Sequence, residues 1–277
     1  SNPAKPRFIR NFGIAGQEPG ASGTAPTELH GPISTGPKGN RVYFGYGTNK
    51  GGIVQIVDRK KLLSGPADVT PANLQAPEIA RIVTPPWVGA HTAFPLLGVT
   101  IPEFAKDKDG HVHDFIVITD ESILNECAEA RQMVWVVDIT AETAPFGVST
   151  YTPREADGSF CARGGRFGTH SSNESFAPVF YGRVMFFAAF NAGVRMVDFR
   201  DPYHPTEVGF YIPAETKATD PRCIKTANGE RCKTAIQTNN VEVDERGYIY
   251  IVDRANTGLH ILELSGDARK LMAGPSR

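Results

Sequence analysis

The chain lacks an excess of charge of either sign, and it lacks any long apolar run. Its 277 residues carry 29 lysine and arginine side chains against 30 aspartate and glutamate side chains. Proteins that bind nucleic acid or anionic membranes favour a basic excess, so this balance argues against both partners. The longest apolar stretch, Val184 to Phe190, is far shorter than the roughly 18 residues that a membrane span needs. We therefore expect no nucleic-acid partner and no membrane span.

Several local signatures of enzymes and metal sites are also missing. The sequence contains no GxSxG nucleophile elbow, no P-loop and no glycine-rich dinucleotide fingerprint. It has no CxxC pair, which argues against a zinc site built from cysteine. These absences leave no active centre that a single local motif identifies.

Cysteine is scarce: the four are Cys127, Cys161, Cys223 and Cys232. The stretch CIKTANGERC places Asn228-Gly229, a dipeptide typical of tight hairpins, between Cys223 and Cys232. A disulfide that closes this loop would favour an oxidising compartment. The alternative is four free thiols in a cytosolic protein, and whether Cys127 and Cys161 also pair is left open. We expect a periplasmic or secreted protein whose signal peptide was removed or lies outside this sequence.

Convincing amphipathic helices are scarce too, whereas short apolar runs are common. KKLLSG (60–65) and ESILNECAEARQ (121–132) would each give at most a turn or two of helix. The strand-like runs are VYFGYG (42–47), IVQIVD (53–58), FIVITD (115–120), MVWVVDI (133–139), VMFFAAF (184–190), VRMVDF (194–199), YIYIVD (248–253) and LHILEL (259–264). Many short strands separated by turn signals predict an all-β fold.

The strand-like runs form a repeat. In each copy an apolar strand leads through a turn into a second strand that ends in Asp or Glu, as in VMFFAAFNAGVRMVDFR (184–200). Upstream of each pair lies a polar box: HGPI (30–33), HTAF (91–94), HSSN (170–173) or QTNN (237–240). The box lies 28 residues before the acidic residue in the first and third copies, as from His30 to Asp58, and an insertion widens the second copy. Such a period predicts β-propeller blades of four strands.

We expect a single β-propeller domain over residues 1–277. The predicted blade repeats are 28–88, 89–155, 168–215 and 235–266. Residues 1–14 would add an outer strand, because Pro3 and Pro6 stand where Pro202 and Pro205 stand in the outer segment 201–213. Two arrangements remain open. Either the four blades close on themselves through the N-terminal strand, or the chain is the later part of a propeller of six to eight blades.

The third strand of each repeat resembles that of the LVIVD-repeat proteins, β-propeller chains named for an apolar strand that ends in Asp. The matching residues are IVQIVD (53–58), VWVVDI (134–139), VRMVDFRDPYHP (194–205) and, more loosely, LHILEL (259–264), where Glu263 replaces the Asp. The resemblance covers nearly the whole chain. It implies the propeller fold and an exported or surface protein, and it implies no particular chemistry.

The four boxes predict one site at the propeller axis. If each box opens an innermost strand, His30, His91, His170 and Gln237 lie at equivalent positions around that axis. Imidazole is a preferred ligand of Zn, Cu and Fe, so we predict that His30, His91 and His170 bind one such ion. Gln237 is a poor ligand and would leave a position open. The alternatives are structural histidines along the channel and metal-free acid/base chemistry.

Polar neighbours of the boxes would complete the site. Arg163 and Arg166 lie in the glycine-rich loop before His170, where they would hold a carboxylate or phosphate or else pair with loop carboxylates. Asn173 and Asn240 would donate amide hydrogen bonds to a ligand or join neighbouring blades. Glu174 would orient a histidine or remain solvated.

These residues predict a metal-dependent enzyme, an oxidoreductase, lyase or hydrolase, that acts on a small organic substrate. The substrate is anionic if the arginines bind it. The alternative function is a non-catalytic scaffold that presents its blades to a partner protein. Such a partner would include a missing N-terminal part of the same propeller or another subunit.

Overall fold

The chain folds into successive antiparallel sheets, the first two of four strands each. The structure, a computed structural model, describes residues 2–101 and 103–272. Blade 1 contains β1 (Leu29–Ser34), β2 (Arg41–Tyr46), β3 (Ile53–Asp58) and β4 (Glu78–Val83), in that order. Blade 2 contains β5 (Thr92–Val99), β6 (His113–Thr119), β7 (Val134–Asp138) and β8 (Phe146–Tyr151), also in chain order.

The last two blades share one larger sheet. Blade 3 contains β9 (Phe167–Ser172), β10 (Val184–Phe190), β11 (Val194–Asp198) and β12 (Thr206–Tyr211). After the hairpin of β13 (Pro221–Thr226) and β14 (Gly229–Thr234), blade 4 contains β15 (Thr238–Val243), β16 (Ile249–Asp253) and β17 (Leu259–Leu262). The two blades join where Phe190 pairs with Thr238. Within the described residues blade 4 thus has three strands, and β17 is its free edge.

Helices are short and lie between strands. They are α1 (Gly36–Gly39), α2 (Arg59–Ser64), α3 (Pro71–Gln75), α4 (Ala105–Lys108), α5 (Phe160–Arg163) and α6 (Gly266–Leu271), with one 3-10 turn at Glu155–Asp157. The helical turn predicted at KKLLSG is present as α2, where the Asp58 carboxylate caps the first turn by accepting from the Lys61 amide. The turn predicted within 121–132 is absent: this segment forms an irregular insertion between β6 and β7.

The central strands β6 and β10 each pack between two blades, which explains why their sequences are largely apolar. Side chains alternate between the faces of a strand. On β10, Met185 and Phe187 join a core cluster shared with blade 2, whereas Val184, Phe186 and Ala188 join a cluster shared with blade 4. All seven residues of β10 are buried. The all-β propeller fold predicted from the repeat is therefore confirmed by the sheets and by their stacking.

The N-terminal segment differs from its prediction. Residues 2–14 form no strand, so they do not add the predicted outer strand to blade 4. Phe12 and Ile14 instead pack on blade 1, where the Phe12 and Phe44 rings lie 5.2 Å apart. Arg10 fixes the same segment by donating to the Asn73 carbonyl at 2.8 Å. The segment makes these contacts through its side chains. It forms no backbone hydrogen-bond ladder of the kind that would pair it with β17.

All four cysteines form disulfides, Cys127–Cys161 and Cys223–Cys232. The predicted Cys223–Cys232 bond is thus confirmed, and it crosslinks β13 to β14 at directly paired positions. The bond whose existence was open, Cys127–Cys161, ties the β6–β7 insertion to α5. Two disulfides are typical of proteins in an oxidising, non-cytoplasmic environment. Among the described residues no helix is long and apolar enough to cross a membrane.

The two disulfides should contribute unequally to stability. Cys127–Cys161 closes a loop with a sequence separation of 34, against 9 for Cys223–Cys232. Loop-closure entropy predicts that Cys127→Ala/Cys161→Ala lowers the free energy of unfolding by about 4 kcal/mol, and Cys223→Ala/Cys232→Ala by about 3 kcal/mol. Urea unfolding of the two double variants measures both losses. A larger loss for the Cys223–Cys232 pair would contradict the prediction.

Candidate functional site

The innermost strands meet at one end of the blades, where the four polar boxes begin. Strand β5 contacts β1 and β9, and β9 contacts β15. His170 lies within β9, and His91 and Gln237 each immediately precede their strands. His30 lies within β1 at an irregularity of the pairing with β2, between Leu29 and Gly31. A bulge re-aims a side chain out of the alternating pattern, so it helps to direct His30 toward the neighbouring blade.

The three predicted histidines come together. The ring centroids of His30 and His91 lie 3.5 Å apart, and those of His91 and His170 lie 4.4 Å apart. His91 and His170 are buried, whereas the His30 side chain is 35% exposed. The cluster is therefore closed on the side of His91 and His170 and reaches solvent at His30.

The carboxylate of Glu121 completes the cluster, and sequence reasoning missed it. One of its oxygens, Oε1, lies 3.5 Å from Nε2 of His170, and the other, Oε2, lies 3.8 Å from Nε2 of His30. Donor atoms of His30, His91 and Glu121 all lie within 4.8 Å of one another. The side chain of Glu121 is only 6% exposed. Three imidazoles thus surround one buried carboxylate.

Backbone hydrogen bonds hold Glu121 between blades. Its amide donates to the Thr48 carbonyl of blade 1 at 3.0 Å, and the next amide, of Ser122, donates to Thr169 of blade 3 at 2.9 Å. Further along the insertion, the Glu126 amide donates to the Gly165 carbonyl at 2.7 Å. The β6–β7 insertion therefore crosses the end of the blades at which the histidines lie, and it carries the carboxylate to them.

The hydrogen bond of His170 fixes where its proton lies. Its Nδ1 bonds the Asn239 carbonyl, which can only accept, so Nδ1 carries the hydrogen of the neutral ring. Burial, together with the charge of Arg254, lowers the pKa of His170 to about 3, so the ring is neutral at pH 7. Its Nε2 therefore presents a lone pair to the Glu121 oxygen.

His91 offers a second nitrogen without a partner. Its Nδ1 lies 2.9 Å from the Thr92 hydroxyl, while Nε2 is buried and has no hydrogen-bond partner among the described residues. Burial, with His170 and His30 nearby, lowers the pKa of His91 to about 2. Burial also raises the pKa of Glu121, against the opposing effect of Arg166 and Arg254. Both buried rings are therefore neutral at pH 7.

Arg166 is the one predicted arginine that reaches the cluster. Its Nη1 donates to Glu121 at 3.0 Å and to the Ser122 carbonyl at 3.3 Å. Gln237, at the position where the repeat replaces histidine, accepts from the Arg166 amide at 2.9 Å. Gly165 permits this approach, because its φ of +67° disfavours other residues and a Cβ there would collide with the Gln237 amide. Gln237 thus positions Arg166.

The other predicted site residues lie elsewhere or have structural partners. Arg163 stacks on the Phe160 ring, 4.9 Å from its centroid. The side-chain oxygen of Asn173 accepts from the Phe186 amide of β10 at 2.9 Å, a bond within blade 3 rather than the bond between neighbouring blades that was the alternative for it. Asn240 is exposed and accepts from its neighbour Asn239. Glu174 is exposed to solvent, and partial desolvation together with the charge of Glu242 raises its pKa.

A second arginine, Arg254, was also missed. Its Nη1 lies 3.7 Å from Glu121. Both residues come directly after an aspartate at the end of the second strand of a blade. Glu121 follows Asp120 in blade 2, and Arg254 follows Asp253 in blade 4. This shared position in the repeat was the available signal. Because it lies opposite the start of the innermost strand, it faces the same end of the axis as the boxes.

Comparison with known proteins identifies neither a family nor a function. No protein-family model and no curated protein matches the chain. The resemblance to the LVIVD-repeat family therefore stays a prediction. A solved structure similar to this chain is the β-propeller domain of Cps50 (Swd1) from Myceliophteria thermophila, with 10% identity, 86% of each chain covered and a TM-score of 0.20.

The neutral histidines predict a loss of stability in acid. Unfolded histidine titrates near 6.5, so between about pH 3 and pH 6.5 the unfolded metal-free chain binds more protons than the folded one. The free energy of unfolding then falls as the pH drops, by about 1.4 kcal/mol per pH unit for each of His91 and His170. We expect His91→Asn to remove one such contribution from the slope between pH 4 and 6.

Urea unfolding in the presence of a chelator measures this slope. His204→Asn is the matched control, because His204 is 82% exposed and pairs only with Asp201 at the surface. It should leave the slope unchanged. Equal slopes for wild type and His91→Asn would overturn the assignment of His91 as a buried neutral ring.

Proposed function

We propose that His30, His91, His170 and Glu121 hold one transition metal ion, Fe, Cu or Zn, in a metal-dependent enzyme. Sequence reasoning reached the three imidazoles, and Glu121 adds an anionic ligand. Three nitrogen donors and one carboxylate suit all three metals. The bound ion would activate water or oxygen against a small organic substrate, in an oxidoreductase, lyase or hydrolase reaction.

One observation carries this proposal: Nε2 of His170, the ring nitrogen without the hydrogen, faces a carboxylate oxygen of Glu121. The lone pair of His170 Nε2 points at Glu121 Oε1 across 3.5 Å. Two buried acceptors at this distance repel one another unless a proton or a cation lies between them. The His91 ring adds a buried nitrogen without a described partner. A cation bound to these donors would remove the repulsion and satisfy that nitrogen.

The surrounding residues would orient the ligands. The Asn239 carbonyl fixes the His170 ring through Nδ1, as backbone carbonyls commonly do for metal-binding histidines. The Thr92 hydroxyl fixes His91 in the same way at 2.9 Å. Arg166 holds the Glu121 carboxylate from the opposite side. His30 is the solvent-exposed member of the cluster, so substrate would approach the ion from its side.

The oxidising environment indicated by the disulfides supports a location outside the cytoplasm. We propose that the protein is periplasmic or secreted. In such a compartment a metal site built from imidazole and carboxylate has an advantage over a thiolate site, because its ligands are not consumed by disulfide formation.

Metal titration tests the proposed centre directly. Chelator-treated wild type should bind one equivalent of Zn²⁺, and one equivalent of Co²⁺ with a visible absorption band. His91→Ala and Glu121→Gln should each weaken binding by more than about 100-fold, since loss of an outer hydrogen-bond partner alone typically costs 10- to 100-fold. Elemental analysis of the purified protein should find the same stoichiometry.

A second pair of variants controls for adventitious capture. His111 and His113 form the other close pair of imidazoles, with ring centroids 4.6 Å apart. His111→Ala should leave metal stoichiometry and affinity unchanged. Binding that survives His91→Ala and disappears with His111→Ala would place the metal elsewhere and refute the proposed centre.

Blade 4 favours a second function, assembly with another subunit. Its edge strand β17 exposes Leu259 and Ile261 to 61% and 60%, and the paired Val252 lies on the same face. Blades 2 and 3 bury each face against a neighbouring blade, so this face and edge of blade 4 would suit a further blade. We propose that a second copy of the chain covers them, independently of any chemistry at the histidines.

Light scattering after gel filtration tests this assembly. Wild type should have about twice the 30.0 kDa mass of one chain, and Leu259→Lys/Ile261→Lys should return it to a single chain. Phe146→Lys changes an equally exposed apolar residue of blade 2 and should leave the mass unchanged. A wild type that remains at the single-chain mass up to high concentration would exclude self-assembly through blade 4.

A further inference from the structure

The guanidinium of Arg254 has no hydrogen-bond partner within residues 2–101 and 103–272. Its side chain is 38% exposed, and its guanidinium donates no hydrogen bond to another described residue. The nearest carboxylate oxygen, Oε1 of Glu121, lies 3.7 Å away and is already bonded to Arg166 at 3.0 Å. Burial, followed by the charge of Arg166, lowers the pKa of Arg254. The charge of Arg254 is thus partly desolvated and not compensated by a hydrogen bond.

The two arginines share one aromatic support. The guanidinium carbons of Arg166 and Arg254 lie 5.3 Å and 5.7 Å from the centroid of the Phe190 ring. Phe190 is fully buried and has a φ of +47°, which is rare for an aromatic residue. Backbone strain of this kind persists where the surroundings impose it, and it clusters at functional sites. Here it places one ring beneath two like charges and against His170, 5.2 Å away.

Two guanidinium groups face one carboxylate at the cluster. Glu121 bonds Arg166 at 3.0 Å and lies 3.7 Å from Arg254. Arg222 adds a third cation nearby, and its Nη2 donates to the Arg254 carbonyl at 2.7 Å. The nearby carboxylates of Glu28, Glu129 and Asp253 accept from other groups, so a small anion is the group that would bond Arg254 directly. A partly buried setting strengthens such an interaction relative to water.

We infer that Arg254, with Arg166, forms a binding subsite for the carboxylate of a small organic acid beside the His30/His91/His170/Glu121 cluster. A guanidinium presents two parallel N–H donors that match a carboxylate, and Arg254 has all of its donors available. One carboxylate would bond the guanidinium of the pair, that of Arg254, that donates to no carboxylate among the described residues. The claim that this carboxylate belongs to the substrate of the metal centre rests on the proposed function. The claim that the arginines bind an anion depends on the arginines alone.

Carboxylate binding to metal-free protein tests the subsite. The probes are benzoate, its neutral analogue benzamide, and inorganic phosphate, each titrated in the presence of a chelator and followed by ligand-observed NMR. Wild type should bind benzoate in preference to benzamide and phosphate. Arg254→Gln should weaken benzoate binding about tenfold or more, the usual effect of losing a charged hydrogen bond. Arg254→Lys keeps the charge but lacks the paired donors, so its affinity for benzoate should lie between those of wild type and Arg254→Gln.

Arg246→Gln is the matched control. It removes the same charge from the same blade, but Arg246 pairs with Asp244 at the surface, away from the cluster. It should change benzoate binding less than twofold. Circular dichroism of each variant confirms that it is folded. Equal benzoate binding by wild type and Arg254→Gln would overturn the inference, and so would benzamide or phosphate binding as tight as benzoate.

The outcome separates this inference from the proposed metal centre. Benzoate binding that depends on Arg254 in a protein that takes up no metal would support the subsite and remove the metal centre. Stoichiometric metal lost in His91→Ala, with benzoate bound equally by wild type and Arg254→Gln, would support the centre and remove the subsite. The two sets of variants share no residue, so neither result can be mistaken for the other.

Discussion

The burial of one carboxylate, that of Glu121, constrains the end of the molecule at which the blades meet. An ionised carboxylate taken out of water needs compensation by charge and by hydrogen bonds. Arg166 supplies the direct bond, and Arg254 adds a second cation at a longer distance. The loop that carries Arg166 is held by Gln237 and the loop that carries Glu121 by Thr48. The bond between Arg166 and Glu121 therefore joins the loop before β9 to the β6–β7 insertion, and the ordered conformation of both depends on this carboxylate.

The insertion that delivers Glu121 would be costly to order without crosslinks, because it has no regular secondary structure. The Cys127–Cys161 disulfide reduces the freedom of its unfolded form. Glu126 joins the insertion to the β13–β14 hairpin through ion pairs with Arg231 and Lys233. The hairpin itself is closed by Cys223–Cys232. One disulfide thus ties down the irregular insertion and the other closes the hairpin that contacts it, and neither lies in a blade.

The repeat predicted the blades because strand packing leaves a regular record in the sequence. A strand buried on both faces is apolar throughout, as β10 is, and the box before it recurs at a fixed distance. The same regularity predicted that His30, His91 and His170 would approach one axis. It marks the position of Glu121, directly after Asp120, but the place of the carboxylate among the histidines depends on tertiary hydrogen bonds such as that from the Glu121 amide to the Thr48 carbonyl. Arg163 and Arg166 had equal claims in the sequence, and only the orientation of their loop distinguishes them.

The break in the repeat at Gln237 gives the cluster two unlike sides. A fourth histidine would have continued the ring of imidazoles, whereas Gln237 bonds the backbone of Arg166 instead. The same blade contributes Arg254, so blade 4 supplies cations where blades 1 to 3 supply imidazoles. Asp253 links these roles, because its carboxylate accepts from the Gln237 amide at 2.5 Å immediately before Arg254. One substitution in a nearly fourfold pattern therefore divides the cluster into a side that would bind metal and a side that would bind an anion.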